Sequence, residues 1–288
     1  MLRTLLFIPG NNPNMLINGD LMKTDGLIID LEDAVAPEEK DAARLLVRGA
    51  LDFFHYQTPV IVRINGLDTP YWEEDLHTLV PMAPAYIMLP KSGTAEDIRT
   101  LSRAIAQEEA RCGLEKGTIR IIALVETAFG VQNAGEIAAA DERIAYLALG
   151  AEDLTADLHC CRTKEGAEIA YSRAALVVAA RAAGIGCIDT PFTDADDLEG
   201  LEKDAETARA MGFDGKLLIN PRHVGIVNRA FSPTAAEIAH AQEVLAAIEE
   251  AKAAGFGAVA LHGKMIDKPV VDRAKQTLDM AQKMGVLA

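Results

Sequence analysis

Eight short apolar runs, each followed by a longer amphipathic stretch, constrain this chain more than any other feature. They cover residues 2–8, 26–31, 60–64, 86–89, 119–125, 144–149, 186–189 and 216–219. Most are continuously apolar rather than alternating, as strands buried on both faces must be. The stretches between them carry apolar residues at helical spacing. Over residues 38–54 these are Ala42, Ala43, Leu46, Val47, Ala50 and Leu51, and 172–183 and 196–211 behave alike. Several of these helices stop at glycine, Gly184 and Gly212 among them, where a left-handed cap is easy. Such alternation implies parallel strands joined by right-handed crossovers, and eight units close into a barrel. The predicted fold is therefore α/β, a (β/α)8 TIM barrel with a C-terminal helical extension. The 288 residues suit it. An open doubly wound sheet is disfavoured, because no G-x-G-x-x-G or P-loop follows the first run. We expect residues 1–230 to form the barrel and 231–288 an extension of the same domain. That extension should hold a helix over 234–254, a strand at 258–261, a loop at 262–269 and a last helix.

Charge and cysteine content narrow the function. Lys plus Arg number 28 against 43 Asp plus Glu, a net charge of −15. Such a surface repels phosphodiester backbones and anionic headgroups, so neither nucleic acid nor membrane is expected as a partner. A small anionic substrate stays open, because a site can carry its own cations. Cys112, Cys160, Cys161 and Cys187 show no zinc or disulfide spacing, which points to a reducing, cytoplasmic setting. Residues 2–8 turn at Pro9-Gly10 without the long apolar core of a signal peptide, and no apolar run reaches the ~18 residues of a membrane span.

In a parallel barrel the chemistry lies at the C-terminal ends of the strands. There the sequence places Asp30-Leu31-Glu32-Asp33, Arg63-Ile64-Asn65, Pro90-Lys91, Glu126-Thr127, Gly150-Ala151-Glu152-Asp153 and Asn220-Pro221-Arg222. Any one of these acids alone reads most simply as a solvated loop charge or a helix cap, and Asp33 could start the next helix. As a set, Asp30, Glu32, Glu126 and Asp153 around one mouth ask for a cation. Their oxygen donors imply a hard ion, and Mg2+ held by one or two carboxylates plus waters and substrate fits best. No histidine follows a predicted barrel strand, no H-x-H or H-E-x-x-H spacing occurs, and no G-x-S-x-G elbow is present. Zinc and serine-hydrolase chemistry are therefore disfavoured. Lys91 could form a Schiff base as in metal-free aldolases. The metal route ranks higher, because a cationic lysine explains none of the acids.

These strand-end segments resemble the citrate lyase beta subunit family, within the acyl-CoA lyase and HpcH/HpaI aldolase-like superfamily. The likeness is carried by Arg3-Thr4-Leu5-Leu6-Phe7-Ile8-Pro9-Gly10, Asp30-Leu31-Glu32-Asp33-Ala34-Val35, Arg63-Ile64-Asn65, Leu89-Pro90-Lys91, Glu126-Thr127-Ala128-Phe129-Gly130 and Gly150-Ala151-Glu152-Asp153. Further on it includes Gly212-Phe213-Asp214-Gly215-Lys216, Ile219-Asn220-Pro221-Arg222 and Gly263-Lys264-Met265-Ile266-Asp267, so it spans nearly the whole chain.

The resemblance implies a barrel assembled as a homo-oligomer, a trimer or a multiple of it, with citrate lyase alpha and gamma subunits as partners. Glu126 and Asp153 would be the direct magnesium ligands and Arg63 a clamp for a substrate carboxylate. Glu32 and Asp33 would hold metal-bound waters or orient the site, and Pro90 and Lys91 would join them in binding substrate. Asp267, in the extension, would be the acid/base; in related acyl-CoA lyases that residue reaches a neighbouring subunit's site. Arg162 and Glu165 resemble a substrate-adjacent loop of the family. The Lys-Ala pair common in standalone acyl-CoA lyases is replaced by Ile17-Asn18-Gly19, which favours the beta subunit.

The expected reaction is a Mg2+-dependent carbon–carbon lyase step. A citryl thioester, on acyl carrier protein or coenzyme A, would yield oxaloacetate and an acetyl thioester. The competing readings are a standalone citramalyl-CoA or malyl-CoA lyase or thioesterase, a Schiff-base aldolase through Lys91, and a non-catalytic barrel that binds keto-acids.

Overall fold

In a computed structural model, described over residues 2–253, 259–285 and 287, the chain divides into two compact units, Leu2–Ala230 and Phe231–Ala288. The first is a closed barrel of eight parallel strands in sequence order. These are β1 (Thr4–Pro9), β2 (Gly26–Asp30), β3 (Val60–Arg63), β4 (Tyr86–Leu89), β5 (Arg120–Val125), β6 (Ile144–Leu149), β7 (Gly186–Asp189) and β8 (Gly215–Leu218). β1 pairs with both β2 and β8, which closes the ring. Each strand starts or ends within two residues of its apolar run, because the run marks where both faces are covered.

Side chains alternate between the barrel interior and the helix layer. The interior cluster takes Leu5, Ile28, Ile61, Met88, Ile122 and Leu124, Ala148, Ile188 and Leu217, at least one from every strand. Two residues further on, the same face reaches the mouth. That step leads from Ile28 to Asp30, from Ile61 to Arg63, from Leu124 to Glu126 and from Ile188 to Thr190. The opposite parity sends Asp189 and Lys216 outward. There they form a buried tetrad with Arg173 and Asp204 from two covering helices. Arg173 spans both Asp189 oxygens at 2.9 Å, and Lys216 Nζ lies 2.6 Å from Asp189 and 2.5 Å from Asp204. The helices run close to expectation: Lys40–Phe54, after a 3-10 turn at Pro37–Glu39, then Ala170–Ala183 and Leu198–Met211. Asp33 does not start the first of them.

The second unit packs the helices Ala235–Ala253 and Lys268–Lys283 around Ala241, Val244, Ile248, Ile266, Val271 and Ala274. Residues 254 and 258, ends of a predicted helix and strand, lie outside the described residues. The expected loop over 262–269 is corrected. β9 (Val259–Leu261) and β10 (Lys264–Ile266) form an antiparallel hairpin, and the last helix starts at Lys268. His262 and Gly263 make the two-residue turn with φ of 51° and 75°, the positive values such a turn needs. Pro269 sits in the first helical turn, where its missing N–H costs nothing. No helix among the described residues is long and apolar enough to cross a membrane.

Candidate active site

The mouth of the barrel holds a cavity of about 470 Å³ lined by Phe7, Asp30, Asp33, Arg63, Glu126, Asp153 and others. Its floor is apolar, from Phe7, Leu124 and Leu217, and its rim is acidic.

Asp30 and Arg63 form its most tightly bonded pair. Arg63 donates from Nε and Nη2 to the two oxygens of Asp30 at 2.7 and 2.6 Å. Asp30 also accepts from the backbone N–H of Glu32 and of Ala34. Its oxygens are saturated, so Asp30 leaves the set of acids that ask for a cation. The same bonds commit the fork edge of Arg63, expected to face a substrate carboxylate, to Asp30. Nη1 is what Arg63 presents to the acidic side, 3.1 Å from Glu32 Oε2 and 3.8 Å from Asp33. Burial works against the guanidinium charge, but Asp30, Glu32 and Glu126 outweigh it and hold its pKa above the usual arginine value. The Phe7 ring stacks beneath it at 4.8 Å.

Glu126 follows β5 directly and is 2 % exposed. Burial pushes its carboxyl up to about 8, with Glu32 and Asp153 adding to the rise and the Lys91 N–H and Arg63 opposing it. Lys91 holds a left-handed φ of 49°, unfavourable for a side chain with a Cβ, and its N–H donates to Glu126 Oε1 at 2.7 Å. Its Nζ donates to Glu32 Oε1 at 3.0 Å. That bond raises the lysine pKa, opposite to the depression a Schiff-base amine needs. Burial raises Glu32 as well, and its Oε2 is buried without a hydrogen bond. Asp153, in the first turn of the helix Ala151–Asp157, lines the same cavity. Pro90 and Lys91 line a neighbouring cavity of about 230 Å³ with Gly66, Leu67, Asp68 and Asp97.

Among the described residues no three His, Cys, Asp or Glu side chains converge as a ready-made metal cage. Magnesium does not need one, since one or two carboxylates completed by water and substrate suffice. Glu126 and Asp153 fit that donor set. Glu126 resists ionisation in its buried place beside Glu32 and Asp153, and a hard cation would relieve that.

Asp267 belongs to the C-terminal unit. There it caps the helix Lys268–Lys283, accepting from the Val270 N–H at 3.3 Å. In the loop after that of Asp153, Arg162 pairs with Glu152 and Glu168, while Glu165 is exposed. The anchor there is Glu168.

Two contributors escaped the sequence reading. Buried Lys40 donates to the carbonyls of Leu31 and Glu32 at 2.7 Å each and so fixes the Asp30–Asp33 loop. A lysine opening an amphipathic helix carries no signal of that. Gly150 is the other: an added Cβ would meet Glu126 Oε2 at 2.4 Å.

The HpcH/HpaI aldolase/citrate lyase family description matches residues 3–221. A citrate lyase subunit beta of Leuconostoc mesenteroides subsp. cremoris is 44 % identical over 97 % of this chain and 93 % of its own length. The structure of CitE from Mycobacterium tuberculosis with magnesium, acetoacetate and coenzyme A superposes with a TM-score of 0.80 at 34 % identity, covering 97 % of this chain and 98 % of that one. A citrate lyase beta subunit from M. tuberculosis with oxaloacetate and magnesium gives 0.67 at 34 % identity over 80 % and 96 %.

Proposed function

The chain belongs to the HpcH/HpaI aldolase/citrate lyase family, and from that premise we propose that it is a magnesium-dependent lyase that splits a citryl thioester into oxaloacetate and an acetyl thioester. The observation that carries the reading is Glu126, a buried carboxyl pushed up to about 8 at the barrel mouth beside Asp153.

Cleavage breaks the bond between the hydroxyl-bearing carbon and the methylene next to the thioester. The hydroxyl gives up its proton and becomes the ketone of oxaloacetate. The electron pair of the broken bond is left on the methylene carbon, which takes a proton to become the acetyl group. When bound, magnesium supplies Lewis-acid stabilisation of the hydroxyl and carboxylate oxygens. Glu126 and Asp153 would hold it, and Glu32 and Asp33 would hold its waters or orient the site. Lys91 orients Glu126 through its backbone and Glu32 through its side chain. Arg63 keeps a fixed positive charge where the substrate carboxylate enters. The apolar floor keeps water from the methylene carbon. Asp267 from a neighbouring copy takes the hydroxyl proton as a carboxylate and returns it to the methylene carbon. Coenzyme A or an acyl carrier protein bears the thioester. The protein works in the cytoplasm as a homo-oligomer, a trimer or a multiple of it, with alpha and gamma subunits as partners.

The test is oxaloacetate release from citryl-CoA beside citramalyl-CoA, with and without a chelator. Citryl-CoA should be cleaved, activity should vanish on chelation and return with Mg2+, and Glu126→Gln or Asp153→Asn should lower turnover by at least ~100-fold. Undiminished cleavage in the chelated assay would overturn the reading. Oxaloacetate binding without turnover would leave a keto-acid-binding barrel.

A further inference from the structure

We propose that Thr190 and Asp157 are positioning residues that set the spacing of Glu126 and Asp153 by fixing the two ends of the short helix that carries Asp153. The inference rests on the reading that those two carboxylates hold a divalent cation.

Glu126 packs so closely on the start of the helix Ala151–Asp157 that residue 150 must lack a Cβ. A glycine at that position has no side chain to cap the helix, and Gly150 makes no side-chain cap bond. The orphaned N–H of Ala151 is met from the next strand instead, by Thr190 Oγ1 at 3.0 Å. Thr190 is fully buried and follows Asp189, which the outward tetrad with Arg173 and Lys216 pins in place. The other end of the same helix reaches the opposite way. Asp157 Oδ2 accepts from the Ala128 N–H at 2.7 Å, at the first position of the helix Ala128–Gln132 and two residues beyond Glu126. Each cation-holding carboxylate therefore sits beside a helix start that is completed by the neighbouring segment, from β7 to the β6 loop and from the β6 loop to the β5 loop. Both bonds are local to the segments bearing Glu126 and Asp153. Losing either frees one segment to shift against the other.

The experiment measures Mn2+ binding to the purified full chain by the electron paramagnetic resonance signal of the free ion, with Mg2+ as competitor. Thr190→Val and Asp157→Ala should weaken binding about tenfold, as loss of a group supporting a metal ligand does. Thr190→Ser and Asp157→Asn keep the accepting oxygen and should stay within about twofold of the unaltered chain. Turnover lost in the first pair should be largely recovered by raising Mg2+, a response that general loss of fold would not give. Asp157 is exposed, so its variants report even where Thr190→Val fails to fold. Binding by Asp157→Ala equal to that of the unaltered chain, or equal weakening by Thr190→Ser and Thr190→Val, would overturn the proposal. No Mn2+ binding by the unaltered chain would overturn the two-carboxylate reading, and this inference with it.

Discussion

Gly150→Ala adds one methyl group and should nearly silence the enzyme without unfolding it. The φ of −101° and ψ of 91° at Gly150 suit alanine, so the backbone is not strained. The conflict is steric. The new Cβ would stand 2.4 Å from Glu126 Oε2 and 2.7 Å from Glu126 Cβ. A carboxylate oxygen can rotate away, but the Cβ of Glu126 moves only with the end of β5. Relaxing that contact to an ordinary carbon–carbon separation needs a shift of about 0.8 Å. The same shift strains the 2.7 Å bond from the Lys91 N–H that orients the carboxylate. Misplacement of about 1 Å at a reacting centre costs on the order of 100-fold in rate. Overpacking of this kind costs about 1–3 kcal/mol in stability. The assay pairs citryl-CoA cleavage across a Mg2+ series with urea unfolding. Gly49→Ala is the control: its Cβ would meet nothing within 4 Å, inside the helix Lys40–Phe54. It should leave turnover unchanged and add about 0.5–1 kcal/mol of stability. Near-normal turnover by Gly150→Ala would refute the claim that Glu126 dictates the glycine.

Three further outcomes are expected. Because the folded pKa of Glu126 is raised to about 8, the metal-free native state keeps a proton that the unfolded chain has released, so stability should fall as pH rises from about 4.5 to about 8. Glu126→Gln should remove that component, and equal pH slopes for the two proteins in chelator would contradict it. Lys216→Met leaves the buried Asp189 and Asp204 with Arg173 alone and should cost about 3–5 kcal/mol in urea unfolding; a loss below ~1 kcal/mol would mean that the tetrad tolerates an uncompensated charge. Asp267→Asn keeps a helix cap, since asparagine caps as well as aspartate, but removes the proposed acid/base. Melting temperature and Mn2+ binding should hold while turnover drops by at least ~100-fold, and normal turnover would remove Asp267 from the mechanism.

The barrel was legible because strands covered on both faces must be continuously apolar, and eight such runs leave little choice of topology. The site was legible in outline because parallel barrels expose only the residues that follow each strand. Strand parity sharpens that reading. Asp30, Arg63 and Glu126 each stand two residues beyond an interior side chain, whereas Asp189 and Lys216 fall on the outward face. Of the hairpin at 259–266 the first strand was legible and the second was not: Lys264–Ile266 is three residues long, too few for a pattern.

Sequence alone determined the architecture and the kinds of side chain that could meet at the mouth, because periodicity and strand order are local properties. Tertiary structure alone decided which acids remain available. Asp30 is quenched by Arg63 and two backbone N–H groups, Lys91 is tied to Glu32, and Glu126 is buried and wedged against Gly150. Those outcomes depend on separations of a few ångströms and on exclusion of water, most of them between residues far apart in the chain, Arg63 with Asp30, Lys91 with Glu126 and Lys91 with Glu32 among them, and no run of neighbouring residues records either quantity.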